Sequence, residues 1–144
     1  MVIIVAVMGS LFYLNEKSFE TPVEALHKMA KQMSGVDSFT AKGELNGSEV
    51  QLRFDDPQAY FKLSEEWKQF PFYETIDILI KEELYTATRF KEDALVNCYR
   101  AFFDESVEIN EADFCIRKRD GYLDSVSLKK DDFVMDISFN KYFQ

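Results

Sequence analysis

Few side chains in this 144-residue chain have the types and spacing that catalysis requires. His27 is the single histidine, so any Ser/His/Asp or Cys/His system would depend on this one residue. The sequence contains no G-x-S-x-G elbow, no glycine-rich phosphate loop and no H-E-x-x-H motif. His27 also falls at the edge of an apolar stripe, where a surface or boundary role is the usual one. We therefore predict no catalytic residues and a protein that is not an enzyme.

Paired acidic residues are the second group that could do chemistry. Two adjacent carboxylates can serve as acid and base, or they can bind Ca²⁺. The pairs in this chain fall at predicted turns and strand ends, where charge solvates a loop and prevents edge-to-edge aggregation of strands. The sequence has no Ca²⁺-binding loop motif, so we predict neither a metal nor a cofactor. Among the pairs are Asp55-Asp56, Glu65-Glu66, Glu82-Glu83 and Asp131-Asp132.

The overall composition excludes two classes of protein. The chain has 26 acidic and 17 basic residues and a formal net charge of −9, whereas a nucleic-acid binder needs a basic face. An apolar content of 47% and an aromatic content of 15% exclude a disordered acidic tail. The basic cluster Arg117-Lys118-Arg119 is predicted to be the solvated end of a hairpin, and contact with lipid head groups is the alternative.

The N-terminal segment indicates a location for the protein. Residues 2–14, VIIVAVMGSLFYL, are apolar and uncharged. They fall short of the roughly 20 residues of a membrane-spanning helix but match the length of a signal-peptide core. We predict a signal anchor or signal peptide at 1–16 and a single extracytoplasmic domain at 17–144, anchored to the cell membrane or secreted. The alternative is a buried strand or helix of a soluble core.

Three residues carry signals of covalent modification. Cys98 and Cys115 lie in separate strand-like segments and lack the spacing of metal ligands. An exported domain with two cysteines usually pairs them, so we predict a disulfide; two reduced core cysteines are the alternative. Asn46 begins an N-G-S sequence that fits the glycosylation pattern, and Asn46-Gly47 is also a strong hairpin signal.

One amphipathic helix is well signalled at 21–34. Thr21 is suited to cap it, Pro22 to its first position, and Glu24 completes a capping box. Gly35 provides the stop. The apolar stripe of this helix comprises Val23, Leu26, Met29, Ala30 and Met33.

Beyond Gly35 the apolar period changes from 3.6 to 2, which is typical of strands. The pattern predicts strands on either side of an aromatic loop at 67–73, WKQFPFY, including one at 75–80 in which isoleucines alternate with other residues. Residues 94–103 fit a strand, with a short helix as the alternative. The predicted fold is α+β: a curved antiparallel sheet, or incomplete β-barrel, of about eight strands packed on one main helix.

The aromatic and apolar side chains are the best candidates for binding. On strands they either fill the core or, if the sheet curves around the helix without complete filling, line a cavity. The loop at 67–73 fits a rim or lid over that cavity, or a plug of the core. The predicted ligand-binding residues are Met29, Met33, Phe54, Phe61, Trp67, Phe70, Phe72, Ile78, Ile80, Phe90, Met135, Ile137 and Phe139.

Four segments together resemble the lipoprotein-carrier superfamily with its LolA/LolB-like fold. They are the helix and first strand ALHKMAKQMSGVDSFTAKGEL, the strand pair VQLRFDDPQAYFKL, the hairpin IDILIKEELYTATRF and the closing hairpin DGYLDSVSLKKDDFVMDISFNKY. The chain departs from the superfamily because it has one clear helix and no cysteine after the apolar run. Its cysteine pair is similar to that of membrane-anchored relatives of the carriers.

The resemblance implies an incomplete barrel over helices, enclosing an apolar cavity for acyl chains. We therefore expect a non-enzymatic extracytoplasmic domain that holds a lipid or other apolar small molecule between sheet and helix. The membrane would be a second partner, through the N-terminal segment, and nucleic acid is excluded. The alternative is a protein-interaction or sensor domain with a filled core, which would bind a protein of the cell envelope.

Overall fold

Local sequence signals account for most of the helices and strands. The computed structural model describes residues 20–81 and 83–143, so the predicted segment at 1–16 lies outside the described residues. Within these ranges no helix has the length and apolar character needed to span a membrane. The elements are α1 (Pro22–Ser34), β1 (Ser38–Leu45), β2 (Ser48–Val50), β3 (Leu52–Asp55), β4 (Gln58–Leu63), β5 (Glu66–Phe70), α2 (Phe72–Lys81), β6 (Tyr85–Glu92), β7 (Val96–Phe103), β8 (Glu111–Arg117), β9 (Leu123–Lys130) and β10 (Phe133–Phe143).

The strands form two antiparallel sheets. The larger sheet has seven strands in the order β2-β1-β10-β9-β8-β7-β6, and the smaller has three in the order β3-β4-β5. Helix α1 packs against α2 and β6, and α2 packs against β4. The predicted α+β class, with a curved antiparallel sheet that does not close into a barrel, is confirmed. Strand β7 also resolves the alternatives at 94–103 in favour of a strand.

Helix α1 forms as its sequence predicts. The Thr21 side chain accepts a hydrogen bond from the backbone N–H of Glu24 at 3.1 Å, and Pro22 occupies the first helical position. Gly35 ends the helix, and its N–H bonds the carbonyl of Gln32 at 3.2 Å. The buried face of α1 consists of Ala25, Leu26, Met29, Ala30 and Met33.

The middle of the chain differs from the sequence-based prediction. The patterns predict an aromatic loop at 67–73 and a strand at 75–80, and both predictions are wrong. Instead Trp67 lies within strand β5, and helix α2 begins at Phe72. The chain therefore has a second helix, which the sequence analysis missed.

A short apolar run explains this error. Ile76 and Ile80 are four residues apart, so they fit one face of a helix as well as alternate positions of a strand. The Thr75 hydroxyl donates to the carbonyl oxygen of Pro71 at 2.5 Å, which satisfies a carbonyl next to the first helical turn. The buried positions of α2 have helical spacing, and they are Phe72, Thr75, Ile76 and Leu79.

The first hairpin forms as predicted, but its return strand divides between the two sheets. Asn46 and Gly47 both adopt positive φ, 50° and 87°, as the tight turn requires. Strand β2 pairs with β1, whereas β3 pairs with β4 in the smaller sheet. Gly43 on β1 allows Leu52 at the start of β3 to pack closely against it, because a Cβ at position 43 would lie only 2.6 Å from Cδ1 of Leu52. Glycosylation of Asn46 stays a prediction; its side-chain oxygen accepts a hydrogen bond from Val134 N at 2.8 Å.

The predicted disulfide is confirmed. Cys98 on β7 and Cys115 on β8 are direct cross-strand partners, with 4.0 Å between their Cα atoms. The bond covalently joins two neighbouring strands of the larger sheet.

The outer face of the larger sheet carries an ion-pair network. Arg100 binds both carboxylate oxygens of Asp113, at 2.7 and 3.1 Å, and Lys129 approaches the same carboxylate at 3.1 Å. Burial alone would raise the pKa of Asp113, but the hydrogen bonds from Arg100 and Lys129 lower it. Arg100, Asp113 and Lys129 are therefore paired across three neighbouring strands.

The basic cluster Arg117-Lys118-Arg119 was predicted to be the solvated end of a hairpin, and this prediction is wrong for Arg117. Arg117 is 9% exposed, and its Nη2 donates to the carbonyl oxygen of Phe139 at 2.6 Å. Its Nε pairs with Asp124 at 3.3 Å, and its guanidinium lies 5.3 Å from the ring centroid of Tyr142. Arg117 therefore ties the end of β8 to the end of β10.

Candidate functional site

A cleft of about 540 Å³ lies where the C-terminal end of α1 faces the first turns of α2 and the turn between β3 and β4. This volume is within the usual range of small-molecule sites, about 300–1,000 Å³. The residues that line it are Met33, Ser34, Val36, Asp37, Ser38, Phe39, Phe54, Asp56, Pro57, Gln58, Gln69, Phe72, Tyr73, Glu74, Ile76 and Asp77.

Four aromatic rings form one wall of the cleft, which we call the aromatic wall: Phe39, Phe54, Phe72 and Tyr73. The Phe39 and Phe54 ring centroids are 4.7 Å apart, and those of Phe54 and Phe72 are 5.2 Å apart. Tyr73 meets Phe72 edge-on at 5.1 Å. These tilted and edge-on contacts are favourable for aromatic pairs and hold the rings in place. Phe39, Phe54 and Tyr73 are half-buried and offer a preformed apolar surface to a ligand, and Phe72, which is 2% exposed, packs against them.

Three separate elements position the aromatic wall. Phe39 is the second residue of β1, directly after the link from α1, and Phe54 lies on β3. Phe72 and Tyr73 begin α2, where Pro71 precedes the helix. The wall therefore depends on two features that were not predicted from the sequence. One is the passage of the chain from β2 in the larger sheet to β3 in the smaller sheet, and the other is helix α2. Behind the wall, Phe139 on β10 packs 5.2 Å from Phe39.

The mouth of the cleft is acidic. Asp37, Asp56, Glu74 and Asp77 line it, and we call these four residues the acidic rim. The lining residues include no lysine, arginine or histidine, and within the described residues none of the four carboxylates forms an ion pair. The cleft thus combines an apolar wall with an uncompensated negative edge.

Two pKa values report this environment. Burial raises the pKa of Tyr73 to about 12, and the charges of Asp56 and Asp55 contribute to the rise. Burial likewise raises the pKa of Glu74, with further contributions from the negative charges of Glu108 and Asp77. The Tyr73 hydroxyl therefore stays protonated at neutral pH and adds no charge to the cleft.

The structure brings three of the predicted binding residues into the cleft: Met33, Phe54 and Phe72. Ile78 and Ile80 are half-buried on α2. Trp67 and Phe90 are exposed, at 39% and 45%. Six others are buried in the core and do not line the cleft: Met29, Phe61, Phe70, Met135, Ile137 and Phe139.

The predicted inward direction of Phe90 is wrong. Tyr85 is the buried residue at the start of β6, and the positions that alternate with it lie on the exposed side. A register shift between Arg89 and Lys91 further separates Phe90 from the regular pairing. Its ring instead lies 4.7 Å from the guanidinium carbon of Arg100.

Several lining residues are not among those predicted from the sequence. Phe39 shares the inward alternation of β1, which is a signal that could have found it. Tyr73 was hidden because residues 67–73 fit a loop, and Ile76 because residues 75–80 fit a strand. The four-residue spacing from Phe72 to Ile76 instead indicates one helix face. The acidic rim carries no sequence signal, since its members come from separate turns and helix positions.

The described residues offer no metal site. Within the part of the chain that the structure describes, no three His, Cys, Asp or Glu side chains lie close enough together to hold an ion. His27 is half-buried on α1 and does not line the cleft. The aromatic wall can provide apolar contact to a ligand, and the acidic rim can distinguish ligands by charge.

Comparison with known proteins gives a structural likeness without a sequence match. Neither a protein-family profile nor a curated protein sequence matches this chain. The lipoprotein LppX of Mycobacterium tuberculosis has a similar structure, with a TM-score of 0.51, 8% identity, and coverage of 85% of this chain and 95% of LppX. LprF from Mycobacterium bovis has a TM-score of 0.49 and 12% identity, covering 84% of this chain and 92% of LprF. At 8% identity, the likeness to LppX establishes a shared fold.

Proposed function

We propose that this chain is a non-enzymatic, extracytoplasmic binding domain that holds a lipid or other apolar ligand in the cleft between α1, α2 and the β3–β4 turn. The observation that carries the proposal is the aromatic wall, which lines a cleft of about 540 Å³.

The proposed mechanism is the transfer of apolar surface from water to the aromatic wall. Each square ångström of buried apolar area contributes about 25 cal/mol, so a ligand that buries about 200 Å² gains about 5 kcal/mol before the cost of association. Because the rings already contact one another, little side-chain ordering opposes binding.

Two features support a place in the cell envelope. LppX, which shares the fold, is a lipoprotein, and the disulfide between Cys98 and Cys115 suits an oxidising compartment. We propose that residues 1–16 direct or anchor the protein there and that the remainder forms one domain outside the cytoplasm. Membership of the lipoprotein-carrier superfamily is part of the same proposal.

The alternative, a protein-interaction domain, would need a concentrated apolar patch. In the part of the chain that the structure describes, the exposed large apolar side chains are instead distributed over β4, β5, β6, β7, β10 and a turn. These residues are Leu63, Trp67, Phe90, Leu95, Phe102 and Phe143. We therefore favour the ligand-binding function.

A pair of matched variants tests the proposal. Ser38 and Ser48 are both exposed and both begin a strand, but Ser38 lines the cleft and Ser48 does not. The probe is dodecyl maltoside, titrated below its micelle concentration into the full chain by calorimetry. We expect saturable binding by the wild type and by Ser48→Trp, and at least about 10-fold weaker binding by Ser38→Trp, because its indole fills the cleft. Absence of saturable binding by the wild type, or equal affinities of the two variants, would overturn the proposal.

A further inference from the structure

The cleft has the chemistry of a site for an organic cation. We propose that its ligand is an amphiphile whose polar end is an ammonium group, held between the acidic rim and the aromatic wall. This inference rests on the proposed function and specifies the class of ligand. It follows from two properties of the cleft that have separate origins, the charge at its mouth and the aromatic rings in its lining.

The charge favours a cation. Asp37, Asp56, Glu74 and Asp77 line a single cleft, and a sphere of about 540 Å³ would be about 10 Å across, so a head group at the mouth lies within about one Debye length of every carboxylate. Among the described residues that line the cleft, none is a lysine, arginine or histidine. An anionic head group, such as a fatty-acid carboxylate, would meet the four like charges of the acidic rim.

The rings favour the same head group. An ammonium ion is attracted to the face of an aromatic ring, and enclosures of several rings recognise quaternary ammonium groups. Phe39, Phe54 and Tyr73 supply half-buried rings beside the acidic rim, and Phe72 packs against them. Tyr73 remains neutral, so its ring keeps the electron distribution that attracts a cation without repelling an apolar chain.

The expected selectivity between a cationic and an anionic head group follows from the size of the cleft. Each carboxylate contributes a fraction of a kcal/mol at about 8 Å in solvent, and the contribution reverses sign between a cation and an anion. Four such contributions, screened by physiological salt, predict roughly 10-fold tighter binding of the cation than of the anion. The ratio should fall toward 1 at high salt, where screening is stronger.

Three amphiphiles that share a twelve-carbon apolar chain and differ in their head groups test this inference. Dodecyltrimethylammonium, dodecyl maltoside and dodecanoate are titrated, each below its micelle concentration, into the full chain by calorimetry at pH 7. We expect Kd values that increase in that order, with about 10-fold or more between the first and the last. The decisive variant neutralises the acidic rim and should bring this ratio close to 1: Asp37→Asn, Asp56→Asn, Glu74→Gln and Asp77→Asn together.

A matched control removes four exposed carboxylates that do not line the cleft. It should retain the wild-type ratio, and it consists of Glu44→Gln, Glu49→Gln, Asp132→Asn and Asp136→Asn together. If the rim variant does not fold, the salt dependence of the ratio in the wild type provides the test. A ratio that does not fall with salt, or equal binding of the three probes, would overturn the inference while the proposed function stands. Failure of all three probes to bind would overturn both.

Discussion

Replacing the buried Arg117 by methionine tests how much this side chain stabilises the contact between the ends of β8 and β10. Methionine keeps the apolar stem but removes every donor, so the carbonyl oxygen of Phe139 loses its hydrogen bond of 2.6 Å. A hydrogen bond from a charged donor contributes about 2 kcal/mol, and the half-exposed pair with Asp124 plus the contact with Tyr142 add about 1 kcal/mol. We therefore expect Arg117→Met to lower the free energy of unfolding by about 3 kcal/mol.

Urea unfolding followed by circular dichroism measures this loss. With a slope of about 2 kcal/mol per molar urea, the midpoint should fall by about 1.5 M. Arg117→Lys keeps the charge and one donor, so it should lie between the wild type and Arg117→Met. Asp124→Asn should cost less than about 1 kcal/mol, because its carboxylate is 46% exposed. The reasoning is refuted if Arg117→Met unfolds within about 0.5 kcal/mol of the wild type, or if Asp124→Asn is as costly as Arg117→Met.

Three further predictions concern the sheet. Replacing Cys98 and Cys115 together by alanine should cost about 3 kcal/mol, because a loop with a sequence separation of 17 is no longer closed in the unfolded chain; an unchanged urea midpoint would contradict this. The pKa of Asp113 is lowered on folding, so its stabilising effect is present above the unfolded value near 3.8 and is lost as pH falls through the folded value. The Tm of the wild type should therefore exceed that of Asp113→Asn at pH 7, and this difference should become smaller below pH 3.8. A difference that does not change with pH would contradict a stabilising role for the ion pairs of Asp113. Gly47→Ala should cost about 1 kcal/mol more than Gly35→Ala in urea unfolding, because Gly47 has φ of 87° and Gly35 has φ of −91°; equal costs would refute this reading of the turn.

The sequence predicts the elements whose signals are local. The cap, first position and stop of α1 are formed by adjacent residues, and the positive φ values at Asn46-Gly47 depend on that dipeptide alone. Alternation likewise identifies the inward residues of β10, because one face of this strand is buried and the other faces solvent. Met135 and Ile137 lie on the buried face.

The remaining features depend on contacts that are distant in sequence. Helix α2 has ten residues whose apolar positions fit both a helical and a strand period, and its packing against α1 decides between them. Arg117 is buried because the end of β10 provides carbonyl acceptors, which the sequence around it does not reveal.

The cleft was predicted only in part for the same reason. Met33 and Phe54 belong to patterned segments and could be identified as inward residues, whereas Phe72 was identified as an aromatic in a supposed loop. The acidic rim comes together through the fold alone. Asp37 follows α1, Asp56 lies in the turn between β3 and β4, and the other two carboxylates are on α2.

The most direct test of the central claim locates a bound apolar chain. The full chain, labelled with nitrogen-15, is titrated with dodecyl maltoside below its micelle concentration, and the amide chemical shifts are followed by NMR. Ligand binding in the cleft predicts that the largest saturable shifts occur at Phe39, Phe54 and Tyr73. The largest shifts at Phe90 and Phe102 on the exposed side of the sheet, or no saturable shift at any residue, would contradict the claim.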